Sequence, residues 1–128
     1  MANSWKGRQT INSYKDLKVW QMAIDLAVDC YQLTRKFPRE EVYGLTTQMR
    51  RAATSIAANI AEGHGREVTG SFIQFLRISQ GSLKELETHM LISHRIGLID
   101  ESEFGQMTGK CDEIGRMIRA LIRSLQEK

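Results

Sequence analysis

Apolar residues along this chain recur at intervals of three and four, which predicts helices and leaves no evident strands. The clearest run is Phe104, Met107, Cys111, Ile114, Ile118, Leu121 and Leu125, a strict three-four alternation that draws one stripe along a helix. Asp100 and Glu103 precede it in the spacing of a capping box, with Ile99 placed to staple onto Phe104. A second seam runs through Phe72, Leu76, Ser79, Leu83, Leu86, Met90 and Ser93. Its helix is expected to begin near Thr69 or Ser71, with Ser71 and Gln74 as a capping pair, and to end at Gly97. Gly81 lies in its middle, where glycine costs roughly 0.5–1 kcal/mol relative to alanine. That cost predicts close approach by a neighbouring helix.

Two further helices lie upstream. Ser13, with Asp16 three residues on, is expected to cap the first one. Trp20, Ile24, Ala27 and Tyr31 form one seam on it; Ala23, Leu26, Cys30, Leu33 and Phe37 form another; and Pro38 is expected to stop it. Glu40 and Glu41 fit a first helical turn, where the helix dipole favours acid. The next helix is expected to run to about Glu62 and to end at Gly63, His64 and Gly65, with Gly63 free to adopt a left-handed backbone. It carries a stripe of Leu45, Met49, Ala52, Ile56 and Ile60 among many small residues, including Ala53, Ala57, Ala58 and Ala61. So many alanines suit tight packing. Asn59 is read as facing inward and satisfying polar groups at a packed corner, and Arg66 as able to pair with Glu62 across the turn.

Four amphipathic helices with short connections give an all-α fold, an up-down-up-down antiparallel four-helix bundle over residues 13–128, preceded by a flexible arm at residues 1–12. At 128 residues the chain makes one domain with one core. The apolar surface exceeds what one bundle uses, with Phe75, Ile78 and Ile92 off the main seam, and such a surplus marks an interface. A homo-oligomer is therefore expected.

Composition narrows the function. Hydrophobic residues make 41% of the chain and charged residues 26%, ordinary for a globular protein. No apolar run approaches the roughly 20 residues of a membrane span, and the first ten residues lack the apolar core of a secretory signal. A cytoplasmic protein without membrane contact is expected. Cys30 and Cys111 sit in apolar stripes and read as buried small hydrophobes. His64, His89 and His94 do not pair into a zinc spacing, and Glu85 with His89 reads as a surface pair. No Gly-rich phosphate loop follows a strand. The expectation is a non-enzyme with no metal and no cofactor.

The basic residues remain. Lys plus Arg number 18 against 15 Asp plus Glu, a net charge of +3 that permits a nucleic-acid partner without demanding one. Arg116, Arg119 and Arg123 recur at three and four, so they share a helix face, with Lys110 near it and Lys128 extending the charge. Arg50, Arg51, Arg66 and Arg77 occupy the second helix, its exit turn and the third helix. Each is either a phosphate contact or a salt-bridged surface arginine, for which Glu62, Glu85, Glu113 and Glu127 are the available partners. Symmetry would turn each exposed arginine into a ring, and linked contacts raise avidity. Few aromatics are available to stack on bases, so backbone recognition of RNA or DNA is favoured over base readout.

The segments SYKDLKVWQ, YQLTRKFPREEVYGLTTQMRRAATSIAANIAEGHGR and FLRISQGSLKELE together resemble the four-helix-bundle proteins encoded in intervening sequences of bacterial 23S rRNA genes. That group is similar to the accessory variability protein of diversity-generating retroelements. Asn59, Glu62 and Gly63 lie in the matching NIAEG run, and Gly81 in the third segment. The resemblance implies a ring-like homopentamer and a nucleoprotein partner, either a reverse transcriptase or a ribosome-associated one. A structural or adaptor bundle that binds only protein is the alternative.

Overall fold

Small side chains decide how closely the helices meet. The computed structural model describes residues 13–127, so the expected arm at residues 1–12 and Lys128 lie outside the described residues. Four helices, α1 (Lys18–Thr34), α2 (Leu45–Gly65), α3 (Thr69–Arg95) and α4 (Glu101–Gln126), account for nearly all of it, with two single 3-10 turns at Tyr14–Asp16 and Arg39–Glu41. No strand is present among the described residues. One core takes side chains from all four helices, among them Leu26, Met49, Ile56, Leu76, Leu86, Ile114 and Ile118. α2 packs on α1 and α3, and α4 packs on α3 and α1.

The α2–α3 contact is the most intimate. Ala52, Ala53, Ile56, Ala57, Ile60 and Gly63 are buried on α2. Ser79, fully buried on α3, donates its hydroxyl to the Ile56 carbonyl of α2 at 2.9 Å. A side chain as short as serine reaches a neighbouring helix backbone only when the helices nearly touch. Ser55 Oγ and Ser82 Oγ lie 2.9 Å apart on the same contact, and Asn59 Nδ2 donates to the Ser55 carbonyl and hydroxyl at 2.8 and 2.9 Å. The polar atoms of this small-residue surface are thus satisfied as they are buried.

Several expected boundaries move. Ser13 caps the 3-10 turn rather than α1: its hydroxyl accepts from the Lys15 amide, Leu17 is extended (φ −75°, ψ 123°), and α1 starts at Lys18. The break lets Tyr14 pack edge-on against Trp20, with ring centroids 5.1 Å apart. α1 ends at Thr34, short of Pro38, where the Thr34 hydroxyl turns back to the Cys30 carbonyl at 2.8 Å. Gly63 is not left-handed. α2 runs on to Gly65, Gly63 is buried within it, and the left-handed residue is Glu67 at φ 59°, which reverses the short connection into α3. Ser71 makes no cap because α3 already starts at Thr69, and Val68 at its N-cap offers no side-chain bond. The α3 terminus does follow expectation. Gly97 sits at φ 87°, its amide donates to the His94 carbonyl and that of Leu98 to the Ser93 carbonyl, the two bonds of a Schellman motif. Asp100 and Glu103 then form the reciprocal capping box of α4.

Gly81 is a correction too. It is exposed, and a Cβ there would meet nothing within 4 Å. The close approach belongs to Gly63, where a Cβ would lie 2.6 Å from the Phe75 Cβ and 3.1 Å from Phe72 Cδ1. A periodic pattern cannot tell which glycine has a neighbour, because that depends on which face the partner helix covers. Gly63→Ala is expected to destabilise the protein by about 1–3 kcal/mol through overpacking, whereas Gly81→Ala in the isolated subunit stabilises it by roughly 0.5–1 kcal/mol through helix propensity. Urea unfolding of both variants checks this; equal effects would contradict it.

Candidate nucleic-acid interface

Seven arginines were candidates for anion contact, and the fold sorts them by what already occupies each one. Arg50 is committed to structure. Its Nε donates to Thr34 Oγ1 at 2.8 Å, its Nη2 donates to the Tyr31 carbonyl at 3.3 Å, and its guanidinium lies 4.5 Å over the Tyr31 ring. It thereby serves a carbonyl and a hydroxyl in the last turn of α1, where the helix dipole favours a cation. Arg66 donates to Glu62 Oε2 at 2.9 Å and lies 5.1 Å over the Phe75 ring, so the expected turn-spanning pair is present. Arg51 is exposed on α2, pairs with no carboxylate among the described residues, and does not line the depressions that Arg77, Arg116, Arg119 and Arg123 line.

The remaining four converge. Arg77 on α3 and Arg119 and Arg123 on α4 line one depression of about 230 Å³, together with Gln80, Ile122 and Gln126. Arg116 and Arg119 line an adjoining, larger cavity of about 490 Å³ with Gln80, Leu83, Lys84, Glu87, Cys111, Asp112 and Gly115. Gln80 and Arg119 belong to both, so the two form one groove between α3 and α4. Gly115 opens its floor: a Cβ there would lie 3.3 Å from Leu83 Cδ2 and 3.5 Å from Arg119 Nη1. The Arg119 guanidinium therefore folds back over the notch that this glycine leaves.

None of Arg77, Arg116, Arg119 or Arg123 is paired with a carboxylate among the described residues. Of the acids considered as partners, Glu62 goes to Arg66 and Glu85 lies 3.8 Å from His89, while Glu113 and Glu127 pair with none of these arginines. Arg116 with Arg119, and Arg119 with Arg123, are like-charge neighbours on a helix, each disfavoured by roughly 0.2–0.5 kcal/mol. Three guanidiniums around a depression with no acid in its wall form a site shaped and charged for an oxyanion. Lys110, expected near this face, instead pairs with Asp29 across α1 and α4 beside the Lys36–Glu103 pair. Sequence reasoning missed Gln80, Lys84, Asp112 and Gln126. The spacing of Arg77, Gln80 and Lys84 at three and four was the available signal for the first two.

The sequence profile of the 23S rRNA-intervening sequence proteins matches residues 15–120, most of the chain and all of the groove except its Arg123 end. The chain belongs to the 23S rRNA-intervening sequence protein family. A solved protein of unknown function from the S23 ribosomal protein family of Bacteroides thetaiotaomicron VPI-5482 is similar in fold, with a TM-score of 0.77 at 24% identity, covering 82% of this chain and 95% of that one. No curated protein matches the chain. No helix among the described residues is long and apolar enough to cross a membrane.

In this family member both thiols are held protonated. Burial raises Cys30 from an ordinary 9.0 to about 11, opposed by Arg50. Burial raises Cys111 to about 12, helped by the nearby carboxylates of Glu87 and Asp112. Neither is a nucleophile at neutral pH. Because the folded values lie above the unfolded one, the stability tied to these thiols is intact below about pH 9 and lost as pH rises through about 11–12. Iodoacetamide at pH 8 is expected to label neither cysteine until denaturant unfolds the chain; prompt labelling of the native protein would contradict their burial.

The division among arginines is testable by unfolding. Arg50→Ala is expected to cost about 1–2 kcal/mol because it strips charge-assisted hydrogen bonds from the end of α1. Arg119→Ala and Arg123→Ala are expected to stay within about 0.5 kcal/mol of wild type. A destabilisation by Arg119→Ala or Arg123→Ala as large as that of Arg50→Ala would mean that the groove arginines are structural.

Proposed function

We propose that the protein is a non-catalytic accessory protein of the cytoplasm that presents the α3–α4 arginine groove to nucleic acid, chiefly to RNA backbone. The observation that carries this reading is the convergence of Arg77, Arg119 and Arg123 on an acid-free depression, with no carboxylate paired to any of them among the described residues. Phosphate is the anion that recurs along a nucleic acid, and backbone recognition needs cations placed at intervals with little base contact. Arg50 and Arg66 are not part of the groove, being held by Thr34, Tyr31, Glu62 and Phe75.

We further propose that the four helices form an antiparallel up-down-up-down bundle that assembles as a ring-like homopentamer, as the family resemblance implies. Exposed Ile78 and Ile92 on α3, Ile96 at its C-cap and the open surface at Gly81 support a subunit contact. Assembly multiplies the groove and raises avidity for a polyanion. A reverse transcriptase or ribosome-associated partner fits this arrangement. The same isoleucines favour a second reading, an adaptor that binds only protein. In that case the groove arginines fix subunit pairing, and light scattering of their variants would report a smaller particle.

Fluorescence anisotropy with single-stranded RNA across a salt series tests the main reading. Affinity is expected to fall with salt at a log-log slope near −0.7 per neutralised phosphate. The triple variant Arg116→Glu, Arg119→Glu, Arg123→Glu is expected to weaken binding by roughly tenfold or more and to flatten that slope, with helicity unchanged. No binding at low salt, or a triple variant that binds like wild type, would overturn the assignment.

A further inference from the structure

Resting on that reading, the groove's two ends differ in a way that a uniform backbone track does not require. The smaller end is walled by three guanidiniums and two amides and holds no acid. The larger end has acids in its wall: Glu87, paired with Lys84 at 3.1 Å, and Asp112, which has no ion-pair partner among the described residues. An unpaired carboxylate repels phosphate, so a chain of phosphates does not run straight through. What Asp112 accepts is an N–H or O–H donor. The volumes agree with a division of labour. About 490 Å³ lies within the roughly 300–1,000 Å³ typical of small-molecule sites, whereas about 230 Å³ falls below it and suits a single anionic group. Leu83, Gly115 and the protonated thiol of Cys111 give the larger cavity an apolar floor, and Arg116 brings a guanidinium, unpaired among the described residues, on which a base can stack.

We propose that the α3–α4 groove binds one unstacked nucleotide of a single-stranded RNA, with its phosphate among Arg77, Arg119 and Arg123 and its nucleoside in the larger cavity, read by Asp112. Arg119 and Gln80, which line both ends, bridge the two halves of the ligand. Guanine suits Asp112 best, because its ring N–H and amino group stand side by side and meet the two carboxylate oxygens as a fork. Uracil offers one N–H between two carbonyl oxygens, which Asp112 and Glu87 repel. The base has to leave a helical stack to enter, so duplex is a poor ligand.

NMR titration of the isotope-labelled protein with inorganic phosphate, guanosine 5′-monophosphate and uridine 5′-monophosphate tests this directly. Guanosine monophosphate is expected to bind about tenfold more tightly than phosphate, one charge-assisted contact's worth. It is also expected to bind more tightly than uridine monophosphate. Asp112→Asn is expected to erase most of that advantage while leaving phosphate affinity equal or higher. Arg123→Ala is expected to weaken phosphate and both nucleotides alike. Equal affinity for phosphate and guanosine monophosphate, or an advantage that survives Asp112→Asn, would overturn the nucleotide pocket. In that outcome, undiminished salt-dependent RNA binding leaves the backbone reading standing, whereas loss of phosphate, nucleotide and RNA binding together removes both.

Discussion

The near contact of α2 and α3 is the constraint from which the other features follow. Gly63 leaves room for Phe72 and Phe75, and Ser79 reaches the Ile56 carbonyl. These are contacts between a helix and its neighbour's backbone, not between long side chains. They fix the rotation of α3 about its own axis. With Leu76, Ser79, Leu83, Leu86 and Met90 turned inward, Arg77, Gln80 and Lys84 have to point outward and toward α4. The groove is thus the consequence of a packing decision made on the opposite side of the same helix.

That geometry separates arginines that composition treats alike. On α2, Arg50 finds the open carbonyl end of α1 within reach and is absorbed by it. On α4, Arg119 and Arg123 meet other cations and amides in the smaller depression, and Arg116 forms no ion pair among the described residues although Glu87 and Asp112 line the same larger cavity. A protein tolerates such an arrangement at small cost in water, where like charges are screened. The arrangement becomes favourable when an anion fills the gap, because each guanidinium offers paired donors to phosphate oxygens. The proposed function rests on the absence of carboxylates from the described wall of the smaller depression, whereas ion pairs such as Lys36–Glu103 and Lys110–Asp29 join helices elsewhere on the surface.

Much of the fold was legible in the order of residues. The α3 seam from Leu76 to Ser93 is buried as its spacing implies, and Asp100 and Glu103 cap α4 as their separation implies. What sequence could not assign was everything decided by a neighbour. Gly63 and Gly81 look equivalent in a pattern, yet one touches two phenylalanines and the other touches nothing. Ser13 and Ser71 both carry capping signatures, but Ser13 caps a 3-10 turn and Ser71 lies inside a helix that Glu67 has already started by its bend. At the site, the three-four spacing of Arg116, Arg119 and Arg123 announced a shared face. The joining of Arg77 to them, and the part of Asp112, needed the pairing of α3 with α4, which no local pattern encodes.

The account stands on the groove arginines being the ones that meet RNA. Phenylglyoxal footprinting measures this residue by residue: the protein is modified with and without single-stranded RNA, and each arginine is quantified by mass spectrometry. Protection is predicted at Arg77, Arg119 and Arg123, with Arg50 and Arg66 changing little. Protection that spares these three, or that spreads evenly over every exposed arginine, would contradict the assignment.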